Sequence, residues 1–174
     1  MKKTILAIAL LLGSTALFSQ ERDLSDISAN NSWLKFGLNA SVPVGDFGPT
    51  HGFALGFDLR GQFLTRPYLG VGIATGYTNY FGKDNIKDFG MVPLGLMVRY
   101  YQAPQGFFIG TDAGYSFLTN STSDNTGGLY LRPQIGYHNY NWNIFGFYNH
   151  VFRGDYVDVA DLGIGVHYNI RFNK

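Results

Sequence analysis

The residues able to do chemistry in this chain are its four histidines, an Arg-Gly-Asp tripeptide and a scatter of charges on otherwise alternating segments. His138 and His167 both fall on the polar side of such segments, at similar heights. An imidazole pair holds zinc only with further ligands, and isolated histidines usually lack the rest of a coordination shell. We therefore assign both to hydrogen bonding and expect no metal and no cofactor. There is no Cys, which excludes thiolate metal sites and disulfides. Arg153-Gly154-Asp155 could be an adhesion motif for an extracellular ligand or host surface. Gly and Asp are equally what a tight hairpin demands. Gly70, Gly72 and Gly76 lie on one face of a strand and open no helix, so they are not a phosphate cradle.

The elements that position these residues are strands. In DLGIGVHYNIRF, residues 161–172, every second residue is apolar: Leu162, Ile164, Val166, Tyr168, Ile170 and Phe172. Alternation of period two marks a strand with one apolar face. The same pattern recurs at 33–42, 53–63, 68–80, 91–101, 107–118 and 129–138. A further segment at 143–152 is ambiguous in phase, because Phe145, Phe147 and Val151 compete with Ile144 and Tyr148. These segments have the length a tilted strand needs to cross a bilayer.

Long and short links alternate between them. PVGDFGPTHG, FGKDNIKDFG, TNSTSDNTGG and RGDYVD are long, whereas LTRP, QAPQG and NYNW are short. An up-and-down barrel of the bacterial outer membrane sorts its links this way, with tight periplasmic turns and longer outside loops. Pro93 and Pro133 interrupt two strands, where each removes a ladder hydrogen bond. They are expected at the barrel rim, beside bulges.

The apolar set is bulky and the opposite set small or polar, the reverse of what a soluble barrel needs to fill its core. Aromatic residues near strand ends are expected to form two interfacial girdles: Trp33, Tyr68, Tyr80, Phe81, Tyr100, Tyr101, Phe107, Tyr130, Tyr137, Tyr140, Trp142 and Phe172. Charged residues are 14% of the chain, low against the ~25% usual for soluble domains. Those inside can pair: Lys35, Arg60, Arg99, Arg132 and Arg171 share the lumen with Asp58, Asp112, Asp161 and His167. Unpaired charge in so narrow a space would be costly.

Residues 1–19 are expected to be a secretory signal. Lys2 and Lys3 precede an apolar core, with cleavage after Ala16 or Ser19. The apolar run falls short of the ~18 residues a spanning helix needs. Residues 20–32 are expected to be a flexible lead-in and 33–172 the barrel. Removing 1–19 leaves eleven Lys+Arg against twelve Asp+Glu, a balance that offers no basic face for nucleic acid.

The chain resembles the porin-like outer-membrane β-barrel family of Gram-negative bacteria, of the small eight-stranded kind. WLKFGLNASVPVGDF, RPYLGVGIATGY, MVPLGLMVRYY and LGIGVHYNIRF carry the likeness. It implies an all-β, eight-stranded antiparallel transmembrane barrel exported to the cell outer membrane. It also implies outer-membrane lipid and the barrel-assembly machinery as partners. Tyr168-x-Ile170-x-Phe172 resembles the aromatic signal read by that machinery, although the chain runs on to Asn173-Lys174. Some small barrels of this membrane are lipid A deacylases, with His and Ser two residues apart on the outer wall. Here Phe152 follows His150 where the nucleophile would stand, so no catalytic residue is assigned. The expected function is a non-enzymatic structural or surface-interaction role through extracellular loops. The alternatives are a small-solute or ion pore, a soluble lipocalin-like carrier and a lipid-modifying barrel enzyme.

Overall fold

Alternation on the last strand decides which way the wall faces. In a computed structural model, Leu162 and Ile164 are 60% and 67% exposed, whereas His167 between their successors is fully buried. The structure describes residues 33–66, 68–103, 105–120 and 127–171, with side chains undescribed at 33, 64–66 and 171. The expected signal, the lead-in and Phe172 therefore lie outside the described residues.

The strands are β1 (Trp33–Pro43), β2 (His51–Arg66), β3 (Leu69–Gly82), β4 (Phe89–Tyr101), β5 (Gly106–Thr119), β6 (Gly127–His138), β7 (Trp142–Phe152) and β8 (Val159–Arg171). Each pairs antiparallel with its neighbour in sequence, and β1 pairs with β8 to close the barrel. Leu38 stands opposite Val166 across that closure, and Lys35 opposite Asn169. Closure leaves no unpaired sheet edge, the condition for a sheet that spans hydrocarbon. The strands run from 11 residues in β1 to 16 in β2, long enough to cross a bilayer when tilted.

The links sort as expected. The links that join β1 to β2, β3 to β4, β5 to β6 and β7 to β8 are the longer set and leave from one end of the barrel, and the other three are the shorter set and leave from the other end. The phase of β7 is settled: Ile144, Tyr148 and Phe152 face outward, and Phe145, Phe147 and Val151 inward.

Two expectations are corrected. Tyr80, Tyr101 and Tyr130 do not join the girdles; strand parity turns them into the lumen, where all three are buried. Pro93 and Pro133 sit inside their strands without bulges. The β3–β4 register passes from Thr75↔Leu94 to Thr78↔Met91 unshifted, and β6–β7 from Leu131↔His150 to Gln134↔Phe147. Missing pairs are the only local cost, and the Thr75 hydroxyl donates to the Pro93 carbonyl at 2.8 Å.

Candidate functional site

The lumen is closed at three heights. At the long-loop end, a short 3-10 turn (Gly45–Phe47) folds Phe47 over the barrel mouth. Phe47 meets Tyr80 and Phe89 edge-on at 5.6 and 5.7 Å and stacks on His51 at 4.5 Å. Below this lid, Asp161 accepts hydrogen bonds from the Tyr80 hydroxyl at 2.6 Å and from Asn149 Nδ2 at 2.9 Å.

The middle layer is an ion network. Arg60 donates through Nε and Nη2 to Asp112 Oδ2, at 3.2 and 2.6 Å. Arg132 donates to both oxygens of Asp58, at 2.8 and 3.4 Å. His167 lies between them: Arg60 Nη1 is 3.0 Å from its Nδ1 and 2.8 Å from its Nε2, and Nε2 is 3.0 Å from Asp58 Oδ2. These contacts join β2 to β5, β6 and β8, so they cross the barrel rather than line it. Arg132 also lies over the Phe147 ring, 3.7 Å from its centroid. The space left in this layer is about 10 Å³, bounded by Asp58, Arg60, Asp112, Tyr130 and Arg132 among others. That is at the threshold for holding a single water and is too small for a solute.

The layer toward the short turns is mixed. Arg99 donates to Gln134 Oε1 at 2.8 Å and lies over Phe108 at 4.7 Å. Lys35 reaches Asn143 Oδ1 at 3.3 Å, and the Tyr101 hydroxyl donates to Gln62 Oε1 at 2.6 Å. Phe108, Phe145 and Phe147 pack between these groups. Of the nine residues expected in the polar network, eight are placed inside and buried: Lys35, Asp58, Arg60, Arg99, Asp112, Arg132, Asp161 and His167. The side chain of Arg171 is outside the described set. That these charges share the lumen was readable from strand parity; the guanidinium contacts with Phe145 and Phe147 were not, because they depended on the unsettled phase of β7.

The histidines considered for a metal hold different partners. His138 Nε2 donates to the Ala103 carbonyl at 2.9 Å and its ring packs on Tyr101 at 4.5 Å. His167 is held by Asp58 and Arg60. Among the described residues, no group of three His, Cys, Asp or Glu could hold a metal ion.

The outer wall carries an arrangement that the sequence reading missed. His150 stands at the long-loop end of β7 between two partners. The Tyr148 hydroxyl donates to His150 Nδ1 at 2.9 Å, and His150 Nε2 donates to Asp158 Oδ2 at 2.9 Å. Asp158 Oδ1 accepts the Arg153 backbone N–H at 2.8 Å. These bonds, the backbone N–H first and His150 second, hold the Asp158 carboxyl below its ordinary range. The signal was present as Tyr-x-His with period two, on the side of His150 away from Phe152. A hydroxyl beside an imidazole held by a carboxylate is a nucleophile–base pairing in outline. Acyl transfer also needs donors aimed at a developing oxyanion. The local backbone is committed elsewhere, with Tyr148 pairing Leu162 and His150 pairing Ala160 in the sheet.

Arg153-Gly154-Asp155 forms the turn after β7. Gly154 adopts φ +65°, the left-handed conformation glycine tolerates. Gly154 and Asp155 are exposed. The Arg153 guanidinium folds back to the Val157 carbonyl at 3.1 Å and over the Tyr156 ring at 5.5 Å. Of the expected assembly signal, Tyr168 and Ile170 face outward at 44% and 37% exposure.

No protein-family model and no curated protein sequence matches the chain. Solved structures do. The outer membrane protein Ail of Yersinia pestis, determined in a phospholipid bilayer nanodisc, is 16% identical with a TM-score of 0.55, covering 80% of this chain and 99% of that one. Ail in complex with the heparin analogue sucrose octasulfate matches at 16% identity and a TM-score of 0.50, covering 80% and 98%. A designed transmembrane β-barrel matches at 16% identity and a TM-score of 0.50, covering 80% and 95%. At this identity the likeness establishes the fold, a small eight-stranded barrel of the transmembrane kind.

Proposed function

From a fold shared with transmembrane barrels, we propose that this protein is a non-conducting, non-enzymatic barrel of the bacterial outer membrane that acts through its long loops. It is exported by a cleaved signal and inserted by the barrel-assembly machinery, with Tyr168, Ile170 and Phe172 as its recognition signal. The observation that carries this reading is the pairing of an outward apolar belt with a lumen closed at three heights. A wall that exposes Leu96 at 69% and buries Arg99 completely is built for hydrocarbon outside. An eight-stranded barrel whose interior is filled by cross-barrel ion pairs gives solutes no path.

The loops therefore hold the variable chemistry. Their charges are Lys83, Lys87 and Arg153 against Asp46, Asp84, Asp88, Asp124, Asp155 and Asp158, three cationic against six acidic. Such a surface repels a polyanion like the sulfated sugar bound by Ail. It suits a neutral or cationic extracellular partner and gives no purchase to nucleic acid.

The deciding experiment joins heat-modifiable gel migration of the membrane fraction to protease treatment of whole cells. The reading expects a folded barrel cut only in the four long links and silence in planar bilayers. Stepwise conductance, or cleavage at the short turns from outside, overturns it.

A further inference from the structure

The apolar belt is interrupted at Gly146 of β7. The outward face of β7 reads Trp142, Ile144, Gly146, Tyr148, His150 and Phe152. Gly146 stands between Ile135 of β6 and Ile164 of β8, its partners on either side. A side chain there would meet nothing nearer than the Gly163 carbonyl at 3.8 Å. The result is an open groove of about 610 Å³ in the lipid-facing wall, walled by Pro133, Ile135, Tyr148, Leu162 and Ile164. The groove is open along its length, so it would hold a chain along one side and leave the other to the surrounding hydrocarbon.

Toward the long loops the groove meets a second, more polar pocket of about 360 Å³. Tyr148 borders both, so the two spaces adjoin across one side chain. The charged side chains lining the second pocket are both carboxylates, Asp46 and Asp158. Tyr148 gives its proton to His150 and keeps oxygen lone pairs free to accept. The neighbouring cation, Arg153, donates to the Val157 carbonyl, lies over the Tyr156 ring and shares its field with Asp158, so Asp46 is the carboxylate that distinguishes the pocket's charge. An apolar trough opening onto a row of acceptors and carboxylates has the shape and polarity of an amphiphile's complement.

We propose that this wall is a binding site for one amine-headed lipid, with an acyl chain in the groove over Gly146 and its ammonium group at Tyr148, Asp158 and Asp46. The site rests on the membrane placement argued above. The groove is continuous with the belt that meets hydrocarbon, so an acyl chain is its natural filling. A protonated amine answers the two carboxylates, where a phosphate-terminated or glycerol headgroup does not.

The test uses the full mature chain in detergent, titrated with phosphatidylethanolamine or phosphatidylglycerol of identical acyl chains and followed by native mass spectrometry. Gly146→Leu fills the groove without touching the lumen. Gly61→Leu is the matched control, since Gly61 also faces outward with open space above it, between Leu34 and Ile73, toward the short-turn end of β2 and remote from Tyr148, Asp158 and Asp46. Heat-modifiable migration of every variant first establishes insertion, so failure of the membrane reading is distinguishable from failure of the site. The expected result is one retained phosphatidylethanolamine per wild-type barrel. G146L lowers retention about tenfold, the scale of one or two contacts made within a membrane. G61L behaves as wild type, and D46N narrows the preference over phosphatidylglycerol. Equal retention by G146L, equal loss in G61L, no headgroup preference, or a dimer mass that G146L abolishes each overturns the proposal.

Discussion

Asp58 on β2 and Arg132 on β6 stand on diametrically opposite staves of the barrel, yet their Oδ1 and Nη1 atoms are 2.8 Å apart. One side chain from each wall reaches the axis, and Arg60 and His167 close on the same carboxylate at 3.5 and 3.0 Å. Asp58 is thus the anion around which three donors are arranged. Asp58→Asn removes that charge and leaves Arg60 and Arg132 buried against a neutral amide. Breaking a buried pair from one side costs ~3–5 kcal/mol. Urea unfolding of the inserted barrel should show a loss of this size. A loss under about 1 kcal/mol would place the network in the class of weak, screened pairs and refute its structural role.

Much of the lumen's polar lining was legible in the sequence. Strict period two fixes the side of Lys35, Asp58, Arg60, Arg99, Asp112, Arg132, Asp161 and His167 once the apolar face is known. Parity does not give depth along the axis or reach across it, so the Asp58–Arg132 pairing had no sequence signal. The aromatics show the same limit. Tyr100 and Tyr101 are adjacent and both near a strand end, yet one faces the wall and the other the lumen. Counting aromatics near strand ends blurs that distinction. On β7, apolar residues occupy both faces because Phe145 and Phe147 stack with lumen guanidinium groups, which erases the alternation. The relay from Tyr148 through His150 to Asp158 was hidden behind that ambiguity. Its third member also comes from a loop, whose fold no periodicity predicts.

The wall itself makes the second prediction. Leu96 is 69% exposed on β4 in the midst of the apolar belt. An arginine there meets hydrocarbon, at a cost of ~2–4 kcal/mol near the bilayer midplane. Ile86 is exposed too, at 43%, but lies in the β3–β4 loop. Ile86→Arg should stay within about 0.5 kcal/mol, as surface changes do. Folding titrations into vesicles measure both. Equal effects at the two positions would contradict a membrane-facing wall.

The lid and the ion layer are separate barriers, which gives the third. Phe47 is buried against Tyr80, His51 and Phe89. Phe47→Ala removes these contacts and should cost the lid about 3 kcal/mol, the low end for a buried phenylalanine because the loop can relax into solvent. Amide exchange at Gly48 and Thr50, which donate to Gly45 and Phe47 carbonyls, should quicken. Conductance should stay absent, because the Asp58 layer still fills the lumen. Current through F47A alone would mean that the ion layer does not seal the barrel.

The β7–β8 loop responds to pH through Asp158. This carboxylate accepts the Arg153 N–H and a bond from His150, and its pKa is held below the ordinary value by the first and then the second. An unfolded aspartate titrates near ~3.9. A group whose folded pKa is depressed contributes stability that is present above the unfolded value and lost as pH falls through the folded one. The loop should therefore stay closed from neutral pH to about 4 and open only below that. Amide exchange at Arg153 reads the change directly. In Asp158→Asn the acid transition should disappear, since no carboxylate remains to be protonated, while the Asn oxygen can still accept the Arg153 N–H. An unchanged transition in D158N would remove Asp158 from the switch.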